Sequence, residues 1–371
     1  MSDLFFYGTL RHVPLLERVL GHGADTLKVS DAALADHSVR AVQGEIFPMI
    51  QPETGSSADG LLVQGLSDVD LERLAYYEGG FDYGLQNRMV TTREGAFVQS
   101  QVFFPEPGKW VPGEEWSLTD WVEGWGDIVT LAAEEEMAYF GRIAPEVMLR
   151  STRAIQTRAW AKLLARKRRT GEPRDIDKDV IVHRHKRAYV DYFGMEEIDL
   201  QHRQHDGTMG PVLHRASLLQ GSAVAVLPYD PVRDRVLIVE QFRPPVFLID
   251  DPEPWLWEAV AGMIDPGETP EHAAHREVME EAGVSLKALE YAGGAYSSGG
   301  SSTGYMCLYV GLGDLTETTT TGGLASEGED IRTEILPFEA FMERVDGNDF
   351  KDLPLLTLAH WLARHRDRLR A

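Results

Sequence analysis

The stretch GMIDPGETPEHAAHREVMEEAGV, from Gly262 to Val284, constrains the fold more than any other part of the chain. Thr269 caps free N–H groups, Pro270 is tolerated at a first helical position and Gly283 stops a helix, so the spacing predicts a helix over about 270–282. On it, Glu277, Glu280 and Glu281 stand at i, i+3 and i+4 and project toward one face. Like charges so placed repel one another by about a few tenths of a kcal/mol per pair. A hard divalent cation with oxygen ligands compensates such a cluster, and Mg2+ is the usual ion where phosphate is also bound. Taken alone, EVMEE fits a solvated acidic helix face; its surroundings point elsewhere.

Gly262, Glu268, Arg276, Glu277, Val278, Glu280, Glu281, Gly283 and Val284 fill every fixed position of G-x5-E-x7-R-E-U-x-E-E-x-G-U, with U aliphatic. The stretch therefore resembles the Nudix box, the metal-binding loop–helix of enzymes that hydrolyse a nucleoside diphosphate linked to another group. The resemblance implies Glu277 and Glu281 as leading metal ligands, with Glu280 supporting both metal and catalysis. It implies that Arg276 orients the carboxylates, that Glu268 braces Arg276, and that the backbone carbonyl of Ala261 lies near the metal. Mg2+ is the implied cofactor, with Mn2+ as an alternative. In pyrophosphate hydrolysis metals neutralise phosphate oxygens and lower the pKa of an attacking water, and a carboxylate beside that water acts as general base.

The flanks VEQFRPPV and WLWEAVAGMIDPGE resemble the ADP-ribose pyrophosphatase branch, which carries a QFR segment and an E-x-x-AG entry to the box. Arg243 and Glu258 fall at those positions and are the substrate-binding candidates there. Arg243 reads as a phosphate or ribose contact, or equally as a structural salt bridge. Trp255 and Trp257 read as core packing or as purine stackers. LASEGEDIRTEILPFEAF resembles the acidic loop of this branch, which implies Glu327 as catalytic base and Glu329 as a further metal contact. The branch has a proline after the box that is tied to ADP-ribose preference. Here Ser298, in AYSSGGSSTGY, takes its place, so nucleotide sugars such as GDP-mannose stay open.

The chain has 371 residues and a formal net charge of -23, a balance that argues against a nucleic-acid backbone or an anionic membrane surface as main partner. A divalent metal and a few local arginines still accommodate a small phosphorylated substrate. The single cysteine, Cys307, lies in the apolar run YMCLYV and reads as a buried, inert thiol in a reducing compartment. MSDLFFYGTLRH has no basic n-region and no run reaches the length of a membrane span, so no signal peptide is expected and the protein is expected to be cytoplasmic.

Residues 1–115 read as short strands interrupted by one helix, SDVDLERLAYYEGG, which Ser67 caps. Residues 116–175 read as a helical extension and linker, broken at Gly171 and Pro173; the basic cluster ahead of them reads as a solvated helix end. Strands return over 176–371. LFFYGTLRH, with Tyr7, Gly8, Thr9 and Leu10, and LAYYEGGFDYGLQNRMVTT resemble the two signatures of the gamma-glutamyl cyclotransferase-like fold. That resemblance implies a substrate cradle of backbone N–H groups over residues 7–10, with Glu78 shuttling a proton during cyclisation to 5-oxoproline. A binding or dimerising module is an equal reading.

The expected fold is α+β in two domains: a small β-barrel with helices, then a Nudix α/β/α sandwich with a mixed sheet. The pairing resembles tellurite-resistance proteins that carry a Nudix domain, although no residue here points to that role. The expected activity is Mg2+-dependent hydrolysis of ADP-ribose or a related nucleoside diphosphate sugar. The alternatives are a gamma-glutamyl cyclotransferase with an accessory Nudix domain, and a nucleotide sensor without turnover. Relatives in this branch are often dimers sharing strands before the box, which implies a homodimer using residues between about 180 and 246.

Overall fold

Alternation in the first strand, Ser2–Phe6, sets the architecture of the N-terminal part. Side chains of a strand point to opposite faces in turn. Phe5 and Tyr7 pack with Leu34, Ile50, Leu62, Val90 and Val102, while Leu4 and Phe6 pack with the helical residues Leu15, Leu16, Val19 and Leu74. This strand pairs with Pro48–Leu66 on one side and, in parallel, with Phe97–Pro105 on the other. Tyr83–Thr92 and Lys28–Val42 continue the sheet, and Lys28–Val42 pairs back onto Pro48–Leu66. That last pairing closes the strands into a barrel, with Pro112–Glu115 added outside the ring.

The computed structural model describes residues 2–79, 83–168, 174–316, 321–324 and 328–371. The chain divides into two compact units, Met1–Arg215 and Ala216–Ala371. The division falls well beyond the break read at about 175. The helices after the barrel pack on it: Trp121, Val129, Ala133 and Met137 belong to the same core as Leu4 and Leu16. The hairpin Val180–Val190 with Gly194–His202 is held within the same unit. Tyr139 donates its hydroxyl to the Tyr189 carbonyl at 3.0 Å, and Arg158 donates to the carbonyls of Asp191 at 3.2 Å and Tyr192 at 2.9 Å. The same guanidinium pairs with Glu135 at 2.7 Å, and the two side chains are only 2% and 3% exposed.

Among the described residues the second unit is built on an eight-stranded mixed sheet. Its centre is Ala223–Asp230, parallel to Tyr305–Gly313 and antiparallel to Arg235–Phe242 and Val260–Met263. Ala225, Leu227 and Tyr229 face a core formed with Phe338, Phe341, Leu355, Leu358 and Leu362 of the last two helices. Val224 and Val226 are equally buried and, by strand alternation, face the other way. Helix Pro270–Ala282, whose Ala273, Ala274, Val278 and Ala282 are fully buried, packs on Ala223–Asp230 and Val260–Met263. Among the described residues no helix is long and apolar enough to cross a membrane.

Removing one partner of a buried ion pair strands the other charge in a medium that cannot solvate it. Arg158→Met is therefore expected to lower the stability of the N-terminal unit by roughly 3–5 kcal/mol, read by urea unfolding. A variant as stable as the native chain would show that the Glu135 pair and the carbonyl bonds to residues 191 and 192 do not hold the hairpin.

Candidate active site

Helix Pro270–Ala282 starts where its caps require. The Thr269 hydroxyl accepts the His272 N–H at 3.3 Å, and Gly283 ends the helix in the left-handed region at φ 64°. The preceding turn is fixed by the Glu268 carboxylate, which accepts the Asp265 N–H at 3.1 Å. Strand Val260–Met263 then brings Gly262 against the helix. A Cβ at Gly262 would lie 2.0 Å from the Glu277 carboxyl, so only glycine leaves room for that side chain.

All five N–H donors of Arg276 are used. Nε donates to Glu268 at 3.1 Å, and Nη2 donates to Glu268 at 2.9 Å and to the Met263 carbonyl at 2.9 Å. Nη1 donates to Glu277 at 2.7 Å and to Glu280 at 3.1 Å. The Glu268 fork is the main cause that holds this guanidinium firmly charged, above the ordinary arginine range.

The three helix carboxylates do not share one environment. Glu277 and Glu281, at i and i+4, turn toward the sheet and are buried, while Glu280 stays partly exposed. Burial pushes Glu277 up to about 7, against the opposing pull of Arg276. Burial pushes Glu281 well above the carboxylate range, and the charges of Glu277 and Glu329 push it further. Its bond from the Ala261 N–H is long, at 3.4 Å, so Ala261 sits at the cluster but leaves it electrically unbalanced. A buried carboxylate pair facing a third acidic group, with little to offset it, fits a cation. Among the described residues no three acidic, histidine or cysteine side chains converge closely enough to cage an ion by themselves.

The charge of Glu329 reaches this pair and raises both carboxyls, whereas Glu327 lies outside the described residues. Arg243 forms a two-pronged ion pair with the buried Glu258: Nε donates to Oε1 at 2.7 Å and Nη2 donates to Oε2. Trp257 packs at the core, with the guanidiniums of Arg332 and Arg344 at 4.8 and 5.4 Å from its ring, while Trp255 is exposed against Phe242. Ser298 sits in an exposed turn whose carbonyl accepts the N–H groups of Ser301 and Ser302, each at 3.0 Å. Sequence reasoning missed Asp352. It caps the last helix through the Leu355 N–H at 2.9 Å, and burial, then the charge of Glu258, push it up to about 6. Its signal was the Asp-Leu-Pro start of a helix, which says nothing of Glu258.

In the other unit, Gly8 leads into a short helical turn, Thr9–Arg11, with Tyr7 and Leu10 buried on either side. A Cβ at Gly8 would lie 3.0 Å from Pro48, whose carbonyl accepts the Tyr83 hydroxyl at 3.1 Å. Glu78 ends helix Asp68–Glu78. The residue keeps partial solvent access, yet the packing round its carboxyl is dense enough that burial pushes it up to about 7. Its charge raises both Tyr7 and Tyr83, after the burial of each.

The sequence model of the NUDIX domain matches residues 219–356, and that of gamma-glutamyl cyclotransferase, AIG2-like, matches residues 4–123. The ADP-ribose pyrophosphatase of Escherichia coli (strain K12) is 33% identical over 193 residues, covering 52% of this chain and 91% of that protein. The chain belongs to the Nudix hydrolase family. The ADP-ribose pyrophosphatase of Haemophilus influenzae is 34% identical over 44% of this chain and 76% of its own length. The GDP-mannose pyrophosphatase of Cronobacter sakazakii is 29% identical over 46% of this chain and 88% of its own. The Nudix unit is thus a hydrolase of pyrophosphate bonds, preceded by an AIG2-like barrel.

A carboxyl raised in the folded state contributes stability below its unfolded pKa and loses it as pH rises through the folded one. For Glu78 that window runs from about 4.5 to about 7. Glu78→Gln is expected to flatten the fall in melting temperature of the barrel across this window. A native-like slope in the variant would contradict the enclosure of Glu78.

Proposed function

We propose that the Nudix unit hydrolyses ADP-ribose with Mg2+, adding one water across the diphosphate to give AMP and ribose 5-phosphate. The observation that carries the reading is the buried Glu277–Glu281 pair on one helix, only partly balanced by Arg276. Glu277 and Glu281 would hold the ion, with Glu329 and the Ala261 backbone at its edge. When bound, Mg2+ supplies neutralisation of the diphosphate oxygens and a more acidic attacking water. Arg276 keeps Glu277 and Glu280 from swinging outward. Glu258 fixes the plane of Arg243 through two of its nitrogens, which leaves Nη1 as the donor to a phosphate oxygen. Glu327 is proposed as the general base.

ADP-ribose is preferred over GDP-mannose because the relatives named for it are 33–34% identical, against 29% for the Cronobacter sakazakii protein. A second reading concerns the barrel. The raised Glu78 beside Tyr7 supports proton transfer in cyclising a gamma-glutamyl compound to 5-oxoproline. Exposed Ile181, Val182, Tyr189 and Val212 support assembly as a homodimer.

Product chromatography tests these readings together. Metal-loaded protein is expected to release AMP from ADP-ribose, and Glu281→Gln is expected to lose more than about 100-fold in kcat/KM while melting as a folded protein. Native turnover in that variant would sink the metal assignment. Release of GMP from GDP-mannose alone would move the substrate to nucleotide sugars. 5-Oxoproline lost on Glu78→Gln would support the second reading.

A further inference from the structure

The last turn of a helix leaves carbonyls without intrahelical partners. On the carboxylate helix, Gly283 N–H reaches the Met279 carbonyl at 3.0 Å, and the Glu280 carbonyl is taken by the Gly323 N–H at 3.1 Å. The segment Thr321–Leu324 therefore lies directly on the turn that carries Glu280 and Glu281. Its backbone comes very close there. A Cβ on Gly322 would sit 1.7 Å from the Glu281 carbonyl oxygen and 2.4 Å from its carbon, both main-chain atoms that cannot swing aside. Gly323 turns the chain at φ +91°, and a Cβ there would lie 2.8 Å from the Cβ of Glu329.

The same segment grips Glu329. The Leu324 N–H donates to the Glu329 carboxylate at 3.1 Å, and the Glu329 N–H returns a bond to the Leu324 carbonyl at 3.3 Å. Just beyond, Gly322 pairs with the buried Ile331, and Thr321 with Arg332. Seating on the helix, the turn at Gly323 and the grip on Glu329 form one connected unit. It ends at Glu329, held by the segment that rests on the turn carrying Glu280 and Glu281.

We propose that Gly322 and Gly323 are positioning residues of the pyrophosphatase: by letting the main chain of 321–324 lie on the main chain of Glu280 and Glu281, they set Glu329 against the Glu277–Glu281 pair. Any side chain at position 322 lifts the segment from the helix and carries Glu329 away from the ion. This rests on the reading of Glu277 and Glu281 as the metal pair.

The test is Mn2+ affinity of the full chain, stripped of metal and titrated in a calorimeter, for the native protein, Gly322→Ala, Glu329→Gln, the double variant and Glu281→Gln. Gly322→Ala is expected to bind Mn2+ about tenfold or more weaker. The double variant is expected to be no weaker than the weaker single one, because both changes remove the same carboxylate. With ADP-ribose, Gly322→Ala is expected to lower kcat with KM within about twofold of native, as for a group acting on the chemical step. Native Mn2+ affinity in Gly322→Ala, or fully additive losses in the double variant, overturns the proposal while a defective Glu281→Gln keeps the metal pair standing. Native affinity in Glu281→Gln removes the metal pair itself, and the proposal falls with it. Should Gly322→Ala not fold, Glu329→Gln decides: native affinity there overturns the proposal, since seating Glu329 would do nothing for the ion.

Discussion

The strand, turn and helix that carry the acidic cluster of the Nudix unit are held together by one guanidinium. Arg276 spends its donors on two carboxylates of its own helix, on both oxygens of Glu268, and on the carbonyl of Met263 at the end of the adjoining strand. Strand, turn and helix are thereby locked around a concentration of negative charge that would otherwise push them apart. The lock is incomplete, since Glu281 is buried without a bond to Arg276. Gly262 contributes by absence: only a missing Cβ lets the Glu277 carboxyl lie against the strand.

Much of this was legible in the sequence because it is local. Thr269, Pro270 and Gly283 mark the ends of the helix, and Arg276 meets Glu268 and Glu280 at separations that a turn and one helical step make inevitable. The barrel strand was legible for a similar reason: LFFY is apolar throughout, and its two faces meet two cores. The gamma-glutamyl cyclotransferase-like signatures likewise matched a closed barrel with helices.

What escaped the sequence depends on contacts between distant residues. Arg158 was one cation in a polar helix until Glu135 and the carbonyls at 191 and 192 were found around it. That contact, with Tyr139 on Tyr189, assigns the hairpin 180–202 to the first compact unit. Arg243 was balanced between ion pair and phosphate ligand, and the fork to Glu258 shows that the first role does not consume the whole side chain. Asp352 reads as an ordinary helix cap, and only the fold brings it to Glu258. Gly322 gave no signal, because its constraint is a main-chain approach to Glu281 that no local pattern encodes.

The measurement that bears most directly on the central claim is anomalous diffraction from a crystal of the native chain soaked in Mn2+. The account places one strong peak between the carboxyls of Glu277 and Glu281, about 2.1 Å from an oxygen of each. A peak only at other acidic residues, or none at saturating Mn2+, would mean that the buried pair is held for structure and that the chemistry lies elsewhere.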